Sequence, residues 1–559
     1  MSVFDGRVLG APLRKRYDVA VIGGGITGVQ VARHAAGRGL RTILIERDDY
    51  GSGTSAATTK AIHGGLRYLE QYDFGVVAES VSERHYLGLA APHLVQPRSF
   101  LLTAYDWSTP PAPVLGAGVA LYEAMALRRN VGVPRDIRSP RFRWIGRKKL
   151  LGQVPWLDPE GLVGAWRHDD TLNIHPERLL LAILNSFVAD GGTAVNHAEV
   201  TGLLGRPGER IRGVQVRDTL SGSVENVEAT VTVNAAGPWV ADVLGDLAED
   251  AGVRVKQAKG VHLFTRDLGN RDAVYVRGRN GRHIVVNPWQ GRTLVGPTDT
   301  PVDGDADSVD TTVEDITLLR ETLDSVSARP LVREDVLDTI VGVRPLIDDG
   351  SDTYTSSRRF DVRDHALNGL SGLFTVSGGK WTTGRKMGEK VIDTVIEASH
   401  RHLPPTRAFD SRRLSLSTSF GDYDTVRAAF EAAAARRPEA GLPRDTRVHL
   451  ARLYGTDHEK VLALVAADRT LAARLGESAD IAAQAVYAVT AEAARTLADV
   501  LDRRLTVGTL GLVDARVASR VARLIAPLLG WSADRRQAEV DAYLGAQSAR
   551  VGVIDEAFS

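Results

Sequence analysis

Apolar and polar positions divide the chain into two kinds of pattern. An apolar run at 19–22 leads into a glycine-rich step. A small-residue stretch of helical character follows, then a second apolar run at 42–45 closed by Glu46. Two short strands around a helix within about 30 residues form a βαβ unit. Further strand-like runs fall at 231–236, 260–265, 283–288, 293–296 and 373–376, and helical periodicity at 74–91 and 382–398. Residues 106–150, with Pro110, Pro111 and Pro113, read as mostly irregular. Beyond an aperiodic stretch at 401–420 the pattern is almost wholly helical from 422 to 550, with helices expected at 424–436, 449–453, 479–500 and 515–529. No internal repeat is found.

The first unit carries specific chemistry. Its first strand runs into Gly23-x-Gly25-x-x-Gly28. Gly23 permits the tight turn, Gly25 lets backbone approach a pyrophosphate, and Gly28 lets the helix pack close to the sheet. Free N–H groups and the dipole at the helix start favour the anion. Glu46 is placed to accept from a ribose 2′-hydroxyl and would repel a 2′-phosphate. Alone, this fingerprint names a dinucleotide, NAD as readily as FAD.

Composition narrows the classes. Lys+Arg and Asp+Glu balance at 69 each, so charge argues for no nucleic-acid partner. The absence of cysteine excludes disulfides, cysteine-ligated iron–sulfur clusters and redox dithiols, which leaves redox chemistry to a bound organic cofactor. No apolar run reaches the about 18 residues of a transmembrane helix, and no secretory signal is expected at the N-terminus.

Four stretches lie outside ordinary packing patterns. They are T-S-A-A-T-T-K-A-I-H-G-G-L-R-Y-L-E at 54–70, N-A-A-G-P-W at 234–239, G-V-R-P-L at 342–346 and S-G-G-K-W-T-T at 377–383. Together with A-E-A-A-R-T-L-A-D-V-L-D-R-R-L at 491–505, they resemble the FAD-dependent glycerol-3-phosphate dehydrogenase family and the related α-glycerophosphate oxidases. H-G-G-L-R-Y and G-V-R-P-L are specific to that family, whereas the fingerprint and the A-A-G step occur in many flavoproteins. The resemblance implies an α/β fold: a Rossmann-type FAD-binding domain of glutathione-reductase/D-amino-acid-oxidase type at 16–400, discontinuous and interleaved with an antiparallel-sheet substrate domain at about 85–155 and 255–345. A linker at 401–420 and an all-α cap domain at 421–550 complete it. It further implies oxidation of glycerol 3-phosphate to dihydroxyacetone phosphate, hydride transfer from C2 to flavin N5, and electron delivery to membrane quinone. The implied location is cytoplasmic, peripheral to the inner face of the cell membrane. A homodimer is left open.

A substrate phosphate needs fixed cations, and the planar guanidinium of arginine offers it a bidentate fork. Arg67, Arg344 and Arg358 are the candidates, with Lys380 adding a point charge. Arg344 stands between Val343 and Pro345, an odd place for a solvated charge, and Arg67 follows Gly64-Gly65 in a loop built for close approach. The matching arginines bind glycerol phosphate in the resembling family. Oxidising a secondary alcohol also needs a base, and His63 suits that role with an ordinary pKa of about 6.5. Tyr68 is placed to orient substrate, and Lys259 matches a family lysine near the active site. Thr54 and Ser55 are expected at the pyrophosphate or flavin, and Ala236-Gly237 where backbone passes the FAD. Gly378-Gly379-Lys380, with Thr382, opens a helix as an anion site; by resemblance it faces the flavin pyrimidine carbonyl.

Departures from the family pattern occur at 170–179, Pro297, 358–360, Trp381 and Gly384. They leave a related polyol phosphate or a hydroxyacid open as substrate, and oxygen as an alternative acceptor. A non-catalytic FAD-binding protein is the competing class. Residues 114–127 and the basic run 141–149 offer an interfacial helix with a cationic flank; a packed helix with a solvated flank fits the pattern equally.

Overall fold

The computed structural model describes residue 4 and residues 7–69, 72–302, 304–347, 359–420, 423–436 and 441–559. Among these, two large sheets carry the site. The first, nine-stranded, has a parallel centre: Thr193–Val195, Thr42–Ile45, Arg16–Ile22 and Val224–Asn234 lie in that order, and Leu373–Gly378 extends it alongside Val224–Asn234. Such strands are covered on both faces, so they read as unbroken apolar runs. Val19, Ala20 and Val21 are completely buried. Helices Ile26–Gly37, Pro176–Ala189 and Gly384–Ser399 pack together over one face. The parallel strands all end at the same edge, where open α/β sheets bind ligands.

The second sheet, ten-stranded, is antiparallel apart from the pairing of Ala273–Arg277 with Val95–Tyr105. Its longest pairing joins Val255–Arg266 to Val336–Ile347. Side chains alternate between faces along a strand. Ala258, Gly260 and His262 therefore share a face with their partners Arg344, Gly342 and Ile340, while Lys259 and Val261 share the other with Val343 and Val341. Helix Val313–Asp324, opened by a Thr312/Asp315 capping box, packs with that second face.

Three differences from the sequence reading have local causes. Residues 106–150 are not mostly irregular: besides the helix read at 114–127, found at Ala112–Met125, they contain strand Arg143–Gly146 and helix Arg147–Gln153. Pro111 is the N-cap of helix Ala112–Met125 and Pro113 lies in its first turn, where a missing N–H costs no hydrogen bond. The helix expected at 479–500 stops at Ala491, Ala493 takes φ 55°, and a π-helical turn follows at Asp499–Arg504. Asp499 accepts from the backbone N–H groups of Arg495 (2.8 Å) and Thr496 (3.0 Å), competing with helical bonding. The sheet also takes strand Leu162–Asn173, which lies outside the ranges expected for it. From Val426 onward the described regular elements are helical, with two apolar clusters of their own.

Candidate active site

A cavity of about 1190 Å³ runs between the two sheets. That exceeds the about 300–1,000 Å³ of ordinary ligand clefts, giving room for a dinucleotide beside a small substrate. One end lies at the fingerprint. Gly23 takes φ 99°, and a Cβ on Gly28 would meet the Gly23 carbonyl oxygen at 1.9 Å, so only glycine lets helix Ile26–Gly37 start so close to the strand. That helix begins at Gly25 with no side-chain cap and no acidic residue in its first turn, which leaves its positive end to an anion. The Ser55 hydroxyl stands there, accepting from the Ile26 N–H at 2.9 Å. Glu46 accepts from the Gly24 N–H (2.5 Å) and the Asp48 N–H (2.8 Å). Burial pushes its carboxyl up to about 7, against the pull of those two donors.

The middle of the cavity is walled by small residues. Ala236 and Gly237 line it, as do Gly51 to Ser55. The Thr54 hydroxyl donates to the Val343 carbonyl, and a Cβ on Gly342 would stand 2.4 Å from Ala57 Cβ, so this loop lies directly on the second sheet.

The far end gathers the titratable groups. His63, Tyr68, His262, Arg344 and Lys380 all line it. Lys380 Nζ stands 4.7 Å from the centre of the Tyr68 ring, and a Cβ on Gly65 would be 3.3 Å from that Nζ. The Arg344 guanidinium lies across Gly260, where a Cβ would meet its Nη2 at 2.2 Å. It is held by the Thr298 carbonyl (3.0 Å) and Asp299 (3.2 Å). His262 Nε2 pairs with the Thr59 hydroxyl at 3.0 Å. Burial, then the charge of Lys380, holds the His63 imidazole down to about 4, so it is neutral at physiological pH. Burial and the Arg344 and Lys60 charges bring His262 to about 3.

The cavity thus brings together Gly23, Gly25, Glu46, Thr54, Ser55, His63, Gly65, Tyr68, Ala236, Gly237, Arg344, Gly378, Gly379, Lys380 and Thr382. Gly28 and Gly64 sit one layer behind. Lys259 does not join them: strand alternation turns it to the opposite face from Arg344, where it pairs with Asp315 at 2.5 Å, and this corrects the sequence reading. Arg67 lies in the 3₁₀ turn Leu66–Leu69, with its side chain outside the described residues, and Arg358 is wholly outside them. The departure at Gly384 is one of packing: a Cβ there would meet Ile26 Cγ1 at 2.8 Å, behind the fingerprint helix.

Sequence reasoning missed the support beneath His63. The Gly64 N–H donates to the Tyr122 hydroxyl (3.0 Å) and to Asp170 (3.1 Å), and Tyr122 donates to Asp170 at 2.8 Å. Arg84 also pairs with Asp170, and all three side chains are buried. Burial alone would raise the Asp170 carboxyl; Arg84, His168 and His63 outweigh it and hold the group below its ordinary value. The available signal was the acidic pair Asp169-Asp170 inside an otherwise strand-like run.

Comparison with known proteins agrees with this geometry. Residues 18–393 match the model for FAD dependent oxidoreductases, and residues 413–536 match the C-terminal domain of alpha-glycerophosphate oxidase. The chain is 35% identical to a glycerol-3-phosphate dehydrogenase of Synechocystis sp., over 88% of this chain and 89% of that one. It is 32% identical to a D-erythritol 1-phosphate dehydrogenase of Brucella abortus, over 90% and 97%. The solved glycerol-3-phosphate dehydrogenase of Bacillus halodurans, complexed with FAD, superimposes with a TM-score of 0.76 at 27% identity, covering 96% of each chain. The chain belongs to the FAD dependent oxidoreductase family, in its glycerol-3-phosphate dehydrogenase branch, and its cofactor is FAD.

Proposed function

We propose that the chain oxidises sn-glycerol 3-phosphate to dihydroxyacetone phosphate. The observation that carries this reading is that the FAD cavity is lined both by a neutral, half-buried imidazole and by a fixed guanidinium. Bound FAD supplies the acceptor for the hydride that leaves C2. His63 takes the C2 hydroxyl proton as the ketone forms. Arg344 holds the phosphate, its orientation set by Thr298 and Asp299. Arg67 and Arg358 complete the phosphate site, Tyr68 orients the substrate, and Lys380 contributes positive charge at the opening of its helix.

Membrane quinone is the proposed final acceptor, reached from the cytoplasmic face. Among the described residues no helix is long and apolar enough to cross a membrane. Contact is instead assigned to helix Ala112–Met125, which exposes Val114 and Leu121 beside the cavity mouth, with Leu127 and Arg128 beyond its end. A longer polyol phosphate is the second substrate reading, favoured by the similarity to the erythritol-phosphate enzyme.

Arg344→Ala tests the phosphate site. Losing a desolvated charge pair of roughly 2–5 kcal/mol is expected to raise KM for glycerol 3-phosphate by about a hundredfold, with FAD still bound at full stoichiometry. An unchanged KM would remove Arg344 from the site.

A further inference from the structure

The stretch at 491–505 contributes nothing to the cavity, whose lining ends at Thr382. Yet Glu492, Asp499 and Arg504 in it are buried, Arg504 completely, and Arg503 is nearly so. They converge on the carboxyl ends of two neighbouring parallel strands, Thr42–Ile45 and Thr193–Val195. Asp49, also fully buried, accepts from Arg503 Nε (2.5 Å), from both terminal nitrogens of Arg504, and from Asn196 Nδ2 (2.9 Å). Asp499 holds Arg503 Nη2 at 2.5 Å and His197 Nε2 at 2.8 Å. Arg504 Nη2 also donates to the Glu492 carbonyl at 2.8 Å. Two carboxylates thus face two guanidiniums, with Arg504 Nε the member atom left buried without a hydrogen-bond partner, and removing one member strands a buried charge.

What this cluster fixes is the loop at the nucleotide end. Asp49 lies three residues after Glu46. The backbone N–H groups of His197 and Ala198 donate to the carbonyls of Asp48 (2.7 Å) and Glu46 (2.8 Å). On the other side, the Tyr50 ring packs on Gly24, where a Cβ would meet its Cδ1 at 3.0 Å. The Gly51 N–H donates to the Gly24 carbonyl at 3.1 Å. We propose that Arg503 and Arg504 are positioning residues for the adenosine end of FAD. They touch no part of the cofactor; they lock Asp49, and with it the segment that presents Glu46 to the ribose and closes against the fingerprint. The C-terminal helical region thereby sets FAD affinity.

The test uses full-length protein stripped of FAD and titrated with FAD, following quenching of flavin fluorescence, with thermal melting of each apoprotein in parallel. Arg503→Gln and Arg504→Gln are expected to raise the FAD Kd by about tenfold or more, and Arg503→Lys to restore part of the loss. Leu462→Ala opens a hole in the C-terminal apolar cluster away from the lock. It is expected to lower the apoprotein melting temperature and leave the Kd within about twofold. If Arg504→Gln does not fold, Arg503, at 13% side-chain exposure, decides the matter. A folded Arg503→Gln with Kd within about twofold of the parent overturns the proposal, as does an equal rise for Leu462→Ala. No substrate is present, so failure here is distinct from failure of the glycerol 3-phosphate reading.

Discussion

His63 shows how much one residue's surroundings decide. An ordinary imidazole is half protonated near pH 6.5 and then cannot accept a proton. Burial and Lys380 bring His63 to about 4, so it stays unprotonated well into mild acid, as the proposed base must. The acid limb of kcat/KM, which reports the free enzyme, is therefore expected well below pH 6.5, towards 4. A limb at the ordinary imidazole value would contradict the assignment. His63→Asn should lower kcat by about 10²- to 10⁴-fold with little change in KM and with FAD retained. The same depressed value has a stability sign. The unfolded chain takes up a proton on His63 below about pH 6.5 that the folded chain refuses until about 4, so this group's contribution weakens as pH falls through that window. His63 was legible because glycines and an arginine surround it in the chain. Asp170 was not, because its role comes from a contact across 106 residues with Gly64.

Single elements explain which placements were legible in the chain. The fingerprint strand and helix were legible because local pattern and close packing demand the same residues. Arg344 and Lys259 show the limit: both lie in strands of the same pair, and only the register puts Arg344 over Gly260 and turns Lys259 towards Asp315. Helix Ala112–Met125 was legible from residue 114 onward, and its prolines mark its start rather than a loop. Val114 and Leu121 on it are exposed along the cavity lining, and Leu127, beyond its end and outside that lining, is 78% exposed. Arg128 and the exposed Arg143, Arg147, Lys148 and Lys149 add a basic flank suited to anionic headgroups. The change Leu127→Glu, at a side chain outside the cavity lining, is expected to weaken co-sedimentation with anionic liposomes at low salt and to leave FAD content unchanged. Equal sedimentation of parent and variant would take the bilayer away from this helix.

At the scale of the whole molecule, the two sheets divide the work. The parallel sheet ends in turns and a helix start that line one part of the cavity, and the antiparallel sheet presents His262 and Arg344 to it. The helical region stands behind the nucleotide loop, joined to it through Asp49. This division was legible in outline, since strand-like and helical patterns separate along the chain. The long-range lock was not, because no local pattern pairs Asp49 with residues 454 and 455 positions away. The central claim is that the FAD-loaded chain takes two electrons from glycerol 3-phosphate. Anaerobic addition of that substrate, with glycerol, a hydroxyacid and an amino acid as controls, tests it most directly. The account predicts that glycerol 3-phosphate alone bleaches the oxidised-flavin absorbance, with one dihydroxyacetone phosphate formed per FAD reduced. A flavin that stays oxidised with glycerol 3-phosphate, or that bleaches with the hydroxyacid or amino acid instead, would contradict it.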